Sequence, residues 1–174
     1  MHHLHFNDKL RKTIVNTVVE ALKLSNEDVV FDIGSGDGLY SSEFAKRCKK
    51  VIAIDKDGRN FQNEYYLDER IIKIQADICD WIKINDFSEA THIFFSNSFH
   101  DIECQDEVLK VLSESLREGA YLDMVEFNLR AVFGPPKGIR FTRERLKTKV
   151  EAYHFLESSY IEFENHYFIS FKKF

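Results

Sequence analysis

Between Val29 and Tyr40 the chain runs from a short apolar stretch through an acid, Asp32, into Gly34, Gly36 and Gly38, and then into the amphipathic stretch Leu39 to Lys50. That order reads as strand, tight turn, helix. Glycine reaches positive φ without a Cβ clash, so the backbone can turn sharply and a ligand can lie directly against it. The amides that open the following helix favour negative charge or lone pairs on that ligand. Such a turn belongs to an α/β fold that holds a small molecule at the C-terminal end of its first strand. The dinucleotide fingerprint G-x-G-x-x-G places its third glycine inside the helix, and here Gly38 comes one residue earlier.

The rest of the chain supplies strands that end in polar residues. Val51 to Asp55 reads as a parallel strand buried on both faces, with Lys56 beyond it. An acid about 20 residues past the glycine turn accepts ribose hydroxyls in nucleotide-binding α/β folds, or is a simple strand-end turn acid. Ile71 to Ala76 ends at Asp77-Ile78, and Thr91 to Phe95 delivers Ser96-Asn97-Ser98-Phe99-His100-Asp101-Ile102 to the same edge. Ligands bind outside the carboxyl ends of such strands, so chemistry belongs here. His100, with an unperturbed pKa near neutrality, is either a general base or a structural imidazole. A fifth strand spans 120–127, and helices are expected over 7–24, 39–50, 59–69, 105–116 and 142–155. Two alternating stretches, 159–163 and 166–171, flank Glu164-Asn165 as an antiparallel hairpin. The expected fold class is therefore α/β, a Rossmann-like doubly wound seven-stranded sheet, mostly parallel, with an antiparallel C-terminal hairpin and helices on both faces.

At 174 residues the chain reads as a single domain over 1–174, with a flexible N-terminus over 1–6 and a substrate-side loop over 128–140. That loop holds Pro135 and Pro136, which stiffen it, and Arg140, which binds an anionic group or ties the loop down. No signal peptide or apolar span is evident, so the expected location is cytoplasmic, without membrane contact. His2, His3 and His5 lack helix-face spacing, and no metal is expected. Cys48, Cys79 and Cys104 form no C-x-x-C pair and are expected as reduced thiols. A net charge of −5 argues against a nucleic-acid partner. The basic residues between Arg140 and Lys149 are interrupted by Glu144 and read as a solvated helix face.

The pattern D-x-G-x-G-x-G at Asp32 to Gly38 resembles motif I of the class I S-adenosylmethionine-dependent methyltransferases. Asn97 to Ile102 resembles motif IV of the type 11, ubiquinone-biosynthesis-like group, and the diproline stretch resembles its small archaeal-type members. The segment lacks the [DN]-P-P-[YF] sequence of adenine-N6 and glutamine methyltransferases. The resemblance implies methyl transfer from S-adenosylmethionine, with S-adenosylhomocysteine as product and a small-molecule acceptor. It implies a cofactor turn of Asp32, Gly34, Ser35, Gly36 and Gly38, ribose at Asp55 with Lys56 beside it, adenine at Asp77 and Ile78, and the methionine end near Asn97. Tyr40, Phe99, His100 and Asp101 would face the acceptor, with His100, Asp101 and Tyr40 the catalytic candidates. The alternatives are a non-catalytic module binding S-adenosylmethionine or S-adenosylhomocysteine, and an NAD-dependent oxidoreductase, which the early third glycine and terminal hairpin disfavour.

Overall fold

The computed structural model describes the backbone from His2 to Phe174 and the side chains from Asp8 onward. Its strands are β1 (Val29–Ile33), β2 (Lys50–Asp55), β3 (Ile71–Gln75), β4 (His92–Ser96), β5 (Tyr121–Phe127), β6 (Phe155–Glu162) and β7 (His166–Lys173). They form one seven-stranded sheet in the order β3-β2-β1-β4-β5-β7-β6. The first five pair in parallel, and β7 runs antiparallel to both β5 and β6. From β1 the chain winds outward to β3 and then returns to the other side of β1. The order reverses between β1 and β4, and a crevice opens beyond their carboxyl ends.

The alternation of side chains sorts the core into two layers. Phe31 and Ile33 of β1 face the layer that α4 (Gln105–Ser115) and α5 (Arg143–Glu151) cover with Val108, Leu112, Leu146 and Val150. Val30 faces the opposite layer, where α1 (His2–Leu22) and α2 (Leu39–Ala45) contribute Val15, Val18, Leu39 and Phe44. Each such aliphatic or aromatic side chain contributes about 1.5–3 kcal/mol on full burial. Apolar character on both faces of the central strands is thus what seats the sheet between helices.

Local differences from the expected elements have local causes. α1 begins at His2 instead of residue 7; Met1, and the side chains of His2, His3 and His5, lie outside the described residues. In place of a helix over 59–69 there are two 3-10 turns, Gly58–Gln62 and Glu64–Tyr66. Asp57 accepts from the Arg59 amide and Asn63 from the Tyr65 amide, and extended backbone at Asn63 (φ −66°, ψ 141°) separates the turns. A short α3 (Ile78–Trp81), capped by Asp77, follows β3. The last helix ends at Glu151, and His154 at φ 66° turns the chain into β6 by Phe155. Thr142 caps that helix as its residue type suggests, accepting from the Arg145 amide.

The expectation of three reduced thiols is corrected. Cys79 of α3 and Cys104, which precedes α4, form a disulfide with 5.8 Å between their Cα atoms, and Cys48 alone is free and buried. A sequence separation of 25 residues carries no pairing motif; packing of α3 and α4 on one face of the sheet brings the two together. Among the described residues, no helix is long and apolar enough to cross a membrane.

Candidate active site

Each glycine of the turn adopts positive φ: 71° at Gly34, 56° at Gly36 and 88° at Gly38. Two of them are also sterically required. A Cβ on Gly34 would lie 2.7 Å from Ser98 Cβ, and one on Gly38 would lie 2.6 Å from the Tyr66 ring. Gly36 differs, since a Cβ there would meet nothing within 4 Å. Asp55 braces the turn from the end of β2: its two oxygens accept from the amides of Gly36 and Asp57, each at 2.8 Å. The Tyr66 hydroxyl donates to the Gly36 carbonyl at 2.6 Å and lies 2.7 Å from Ser35 Oγ. Beneath the turn, buried Asp32 accepts from Ser41 Oγ at 2.6 Å. Burial pushes the Asp32 carboxyl up to about 7. On the outer side Arg11 of α1 grips Asp37 with two hydrogen bonds of 2.6 and 2.8 Å, holding that carboxyl below its ordinary range.

Two cavities open along this edge. The first, about 500 Å³, is lined on one side by Asp55, Lys56, Asp77 and Ile78, and on the other by Asp101, Ile102 and Glu103. The second, about 720 Å³, lies between α1 and the hairpin and is lined by Asp32, Ser35, Gly36, Tyr40, Phe133 and His166 among others. They share Gly34, Ser96 and Asn97. Asn97 marks the junction, with φ 53° and a buried Oδ1 that has no hydrogen-bond partner among the described residues. All ten residues expected at the cofactor except Gly38 line one cavity or the other. Gly38 acts below the surface by admitting the Tyr66 ring. The first cavity carries the carboxylates of Asp55 and Asp77, which suit hydroxyl and amino donors. Asp77 keeps one oxygen beyond the one that caps α3.

Of the three residues expected to be catalytic, His100 and Asp101 lie side by side and Tyr40 lines a different cavity. Tyr40 lines the second cavity, but burial pushes its phenol well above the ordinary range, so it does not ionise near neutrality. Asp101 is exposed and lines the first cavity but not the second. His100 lines neither described cavity. Its side chain is only 4% exposed, with Nδ1 donating to Glu126 Oε2 at 2.8 Å and Nε2 lying 3.4 Å from Asp101. The hydrogen bond and charge of Glu126 hold the imidazole pKa above its ordinary value against the opposing effect of burial. The structure thus favours the structural reading of His100. Phe99 is a core residue, packed against Phe95 and Phe141.

Arg140 is likewise internal. It donates to the carbonyls of Asn128, Ala131, Phe133 and Pro135, which fixes the diproline loop and leaves the residue 4% exposed. Of its basic neighbours, Arg143 pairs with Glu157, Lys147 with Glu151 and Lys149 with Asp106. Sequence reading missed Arg11, Tyr66 and His166, none of which carries a local signal, and it placed Ser96 at the edge where chemistry was expected without giving it a role.

A glycine turn under a parallel strand, an acid closing the second strand and a terminal antiparallel hairpin define the class I S-adenosylmethionine-dependent methyltransferase fold. A methyltransferase of Aquifex aeolicus described as S-adenosylmethionine-dependent superposes with TM-score 0.75 at 18% identity, covering 90% of this chain and 88% of that one. The N-methyltransferase NodS of Bradyrhizobium japonicum, solved in complex with S-adenosylhomocysteine, superposes with TM-score 0.72 at 12% identity, over 95% and 86% of the two chains. The profile of the ribosomal RNA adenine dimethylase family matches residues 7–114, and the chain belongs to that family. A probable ribosomal RNA small subunit methyltransferase A of Pyrococcus abyssi is 27% identical over 128 residues, 71% of this chain and 45% of the relative. The chain spans about half the length of the curated relatives that it matches over most of its own. The class-level expectation is met, whereas the type 11 group is not the family matched. The expectation of a small-molecule acceptor, with nucleic acid an unlikely partner, is overturned by a family and relatives named for ribosomal RNA.

Proposed function

We propose that this chain binds S-adenosylmethionine across the two joined cavities and transfers its methyl group to a base nitrogen of ribosomal RNA. The observation that carries the reading is the junction at Gly34, Ser96 and Asn97. There a lobe flanked by Asp55 and Asp77 meets a lobe floored by the glycine turn. On this reading Asp55 takes the ribose, Asp77 and the Ile78 amide take the adenine, and the turn from Gly34 to Gly36 backs the methionine portion. Gly36, with open space over its Cα, lets the cofactor approach the backbone. Bound S-adenosylmethionine supplies an activated methyl on a sulfonium. The chain's task is then to hold the acceptor in line with it and exclude water. Asn97, with its free Oδ1, is placed to accept a hydrogen bond from the acceptor amino group. The aromatic and imidazole surfaces of Phe133 and His166 wall the acceptor side.

Support for RNA as acceptor comes from the family and its relatives. Asn97-Ser98-Phe99-His100 keeps the leading Asn but not the Pro-Pro-aromatic residues of adenine-N6 enzymes, so the methylated base is to be read out and not presupposed. Calorimetric titration with S-adenosylmethionine, S-adenosylhomocysteine and NAD tests the cofactor, and tight binding of the first two alone is expected. Transfer of tritiated methyl to small-subunit ribosomal RNA, followed by nucleoside digestion, tests the acceptor. Binding of NAD alone, or label in no RNA, overturns the reading.

A further inference from the structure

The first cavity is spanned by a covalent link. One wall is the segment from Asp77 to Cys79 at the start of α3, and the other is Asp101 to Glu103. The Cys79–Cys104 bond runs from the first wall to the residue that follows the second. Among the described residues no hydrogen bond or ion pair joins 76–82 to 96–104; each wall is tied elsewhere. Asp77 caps its own helix, and His100 is held by Glu126 of β5. Both walls are locally weak: α3 is four residues long, and the second wall contains only the 3-10 turn Phe99–Asp101. A single turn of helix fixes many dihedrals for few hydrogen bonds. Apart from apolar packing and the sheet from which both walls issue, the disulfide is what links the two walls.

We propose that Cys79 and Cys104 form a thiol–disulfide switch that controls cofactor affinity. The inference rests on the S-adenosylmethionine reading above. In the oxidised chain the lobe is held ready-formed, and little ordering is left for binding to accomplish. In the reduced chain the walls separate, and S-adenosylmethionine and S-adenosylhomocysteine bind more weakly. Both sulfurs belong to half-buried residues, and Cys79 lines the open cavity, so an external thiolate can reach the bond. A dithiol reductant attacks one sulfur, the S–S bond breaks, and a mixed disulfide forms. The reductant's second thiolate then displaces the remaining cysteine, leaving two protein thiols and one oxidised reductant, a transfer of two electrons. Cys48 stays outside this chemistry, because burial pushes its thiol up to about 11. By linkage, bound cofactor must favour the disulfide by the same factor that the disulfide favours cofactor.

The test is calorimetry of the wild-type chain with S-adenosylhomocysteine, once equilibrated with glutathione disulfide and once with dithiothreitol, thiols being counted by alkylation and mass. The reduced chain is expected to bind more weakly, within the about 5- to 150-fold range of ordinary site coupling. Saturating S-adenosylhomocysteine should shift the dithiothreitol equilibrium of the disulfide by that same factor. A Cys79→Ser, Cys104→Ser double variant should show the weak affinity in both buffers; the wild-type comparison stands without it should the variant not fold. Equal affinity in the two states, or three alkylatable thiols after glutathione disulfide, overturns the switch while leaving the cofactor reading intact. Absence of binding in both states overturns the cofactor reading itself and the switch with it.

Discussion

Two histidine–carboxylate pairs bridge to β5 from opposite ends of β4. At the amino end His92 meets Asp123 at 2.7 Å, and at the carboxyl end His100 meets Glu126 at 2.8 Å. The chemistry is the same and the surroundings are not. The second oxygen of Asp123 accepts from Ser170 Oγ of β7 at 2.6 Å, and the His92 ring stacks on Tyr121 with centroids 5.0 Å apart. The second oxygen of Glu126 is buried without a partner. All three buried side-chain atoms that lack a partner among the described residues, on Asn97, Glu126 and His166, belong to the carboxyl edge. A buried polar group without a partner costs stability, so satisfied pairs mark where the fold is being held together. Unsatisfied ones, collected at one edge with Asn97 and His166 lining a cavity, mark where the molecule is arranged for a ligand.

The largest expected effect comes from breaking the satisfied pair. Asp123→Ala strands the His92 imidazole and the Ser170 hydroxyl in the core and should cost about 3–5 kcal/mol, read by urea denaturation. Folded protein should bind S-adenosylhomocysteine as before; a parallel loss of affinity would erase the distinction between the two ends. The mirror substitution, Glu126→Gln, keeps a hydrogen-bond acceptor for His100 but removes the charge. It should cost less stability, about 1–3 kcal/mol. It should also weaken S-adenosylhomocysteine binding about tenfold, or 1.4 kcal/mol, because the bond that anchors the Ser98–Ile102 segment is no longer charge-assisted. A Glu126 variant that loses stability alone would make the carboxyl-end pair structural too.

Titration sharpens the contrast further. Burial opposes charge on His92, but the charge and hydrogen bond of Asp123 outweigh it, so its pKa is raised in the folded state. That of His100 is raised by Glu126. A raised histidine contributes stability that is full below its unfolded pKa and is lost as pH rises through the folded value. Both pairs should therefore weaken the fold on going from neutral to alkaline pH. Asp32, raised by burial to about 7, also lowers stability as pH rises, but over the window between its unfolded value and about 7. Urea midpoints of the wild type should decline across both windows, and Asp32→Asn should flatten only the acidic one. A flat alkaline limb would remove the case that either imidazole is charged in the fold.

These contrasts divide what the chain reveals in sequence from what it conceals. Asp32 to Gly38, the strand-end residues Asp55, Asp77 and Asn97, and the terminal hairpin were legible because each is a local pattern of period or turn chemistry. The joining partners were not. Arg11 lies 26 residues from Asp37, His92 lies 31 from Asp123, and Cys79 lies 25 from Cys104; topology alone places them together. The region after Asp57 misled for a subtler reason. Its apolar spacing suits a helix, but Asp57 and Asn63 bond their own backbone two residues on and hold it to short turns. Chain-wide charge argued against a nucleic-acid partner, and the family match, which no residue count carries, overturns that argument.

The smallest expected effect would make the two pairs alike. Ser170→Ala removes the hydroxyl that completes Asp123 and leaves that carboxylate, like Glu126, with one buried oxygen unpaired. If saturation is what separates a structural pair from a site pair, the loss should be that of leaving one buried acceptor unpaired, about 1–3 kcal/mol in urea denaturation, with no change in binding beside it. The alkaline loss of stability should meanwhile persist, because the His92 bond to the other oxygen is untouched. Cofactor affinity should not move, since Ser170 lies on β7 opposite Asp123, toward the end of the sheet away from both cavities. A loss several times larger would mean that Ser170 holds β7 against β5 by itself. The hairpin strand, and not the histidine pair, would then be what secures the amino end of the sheet.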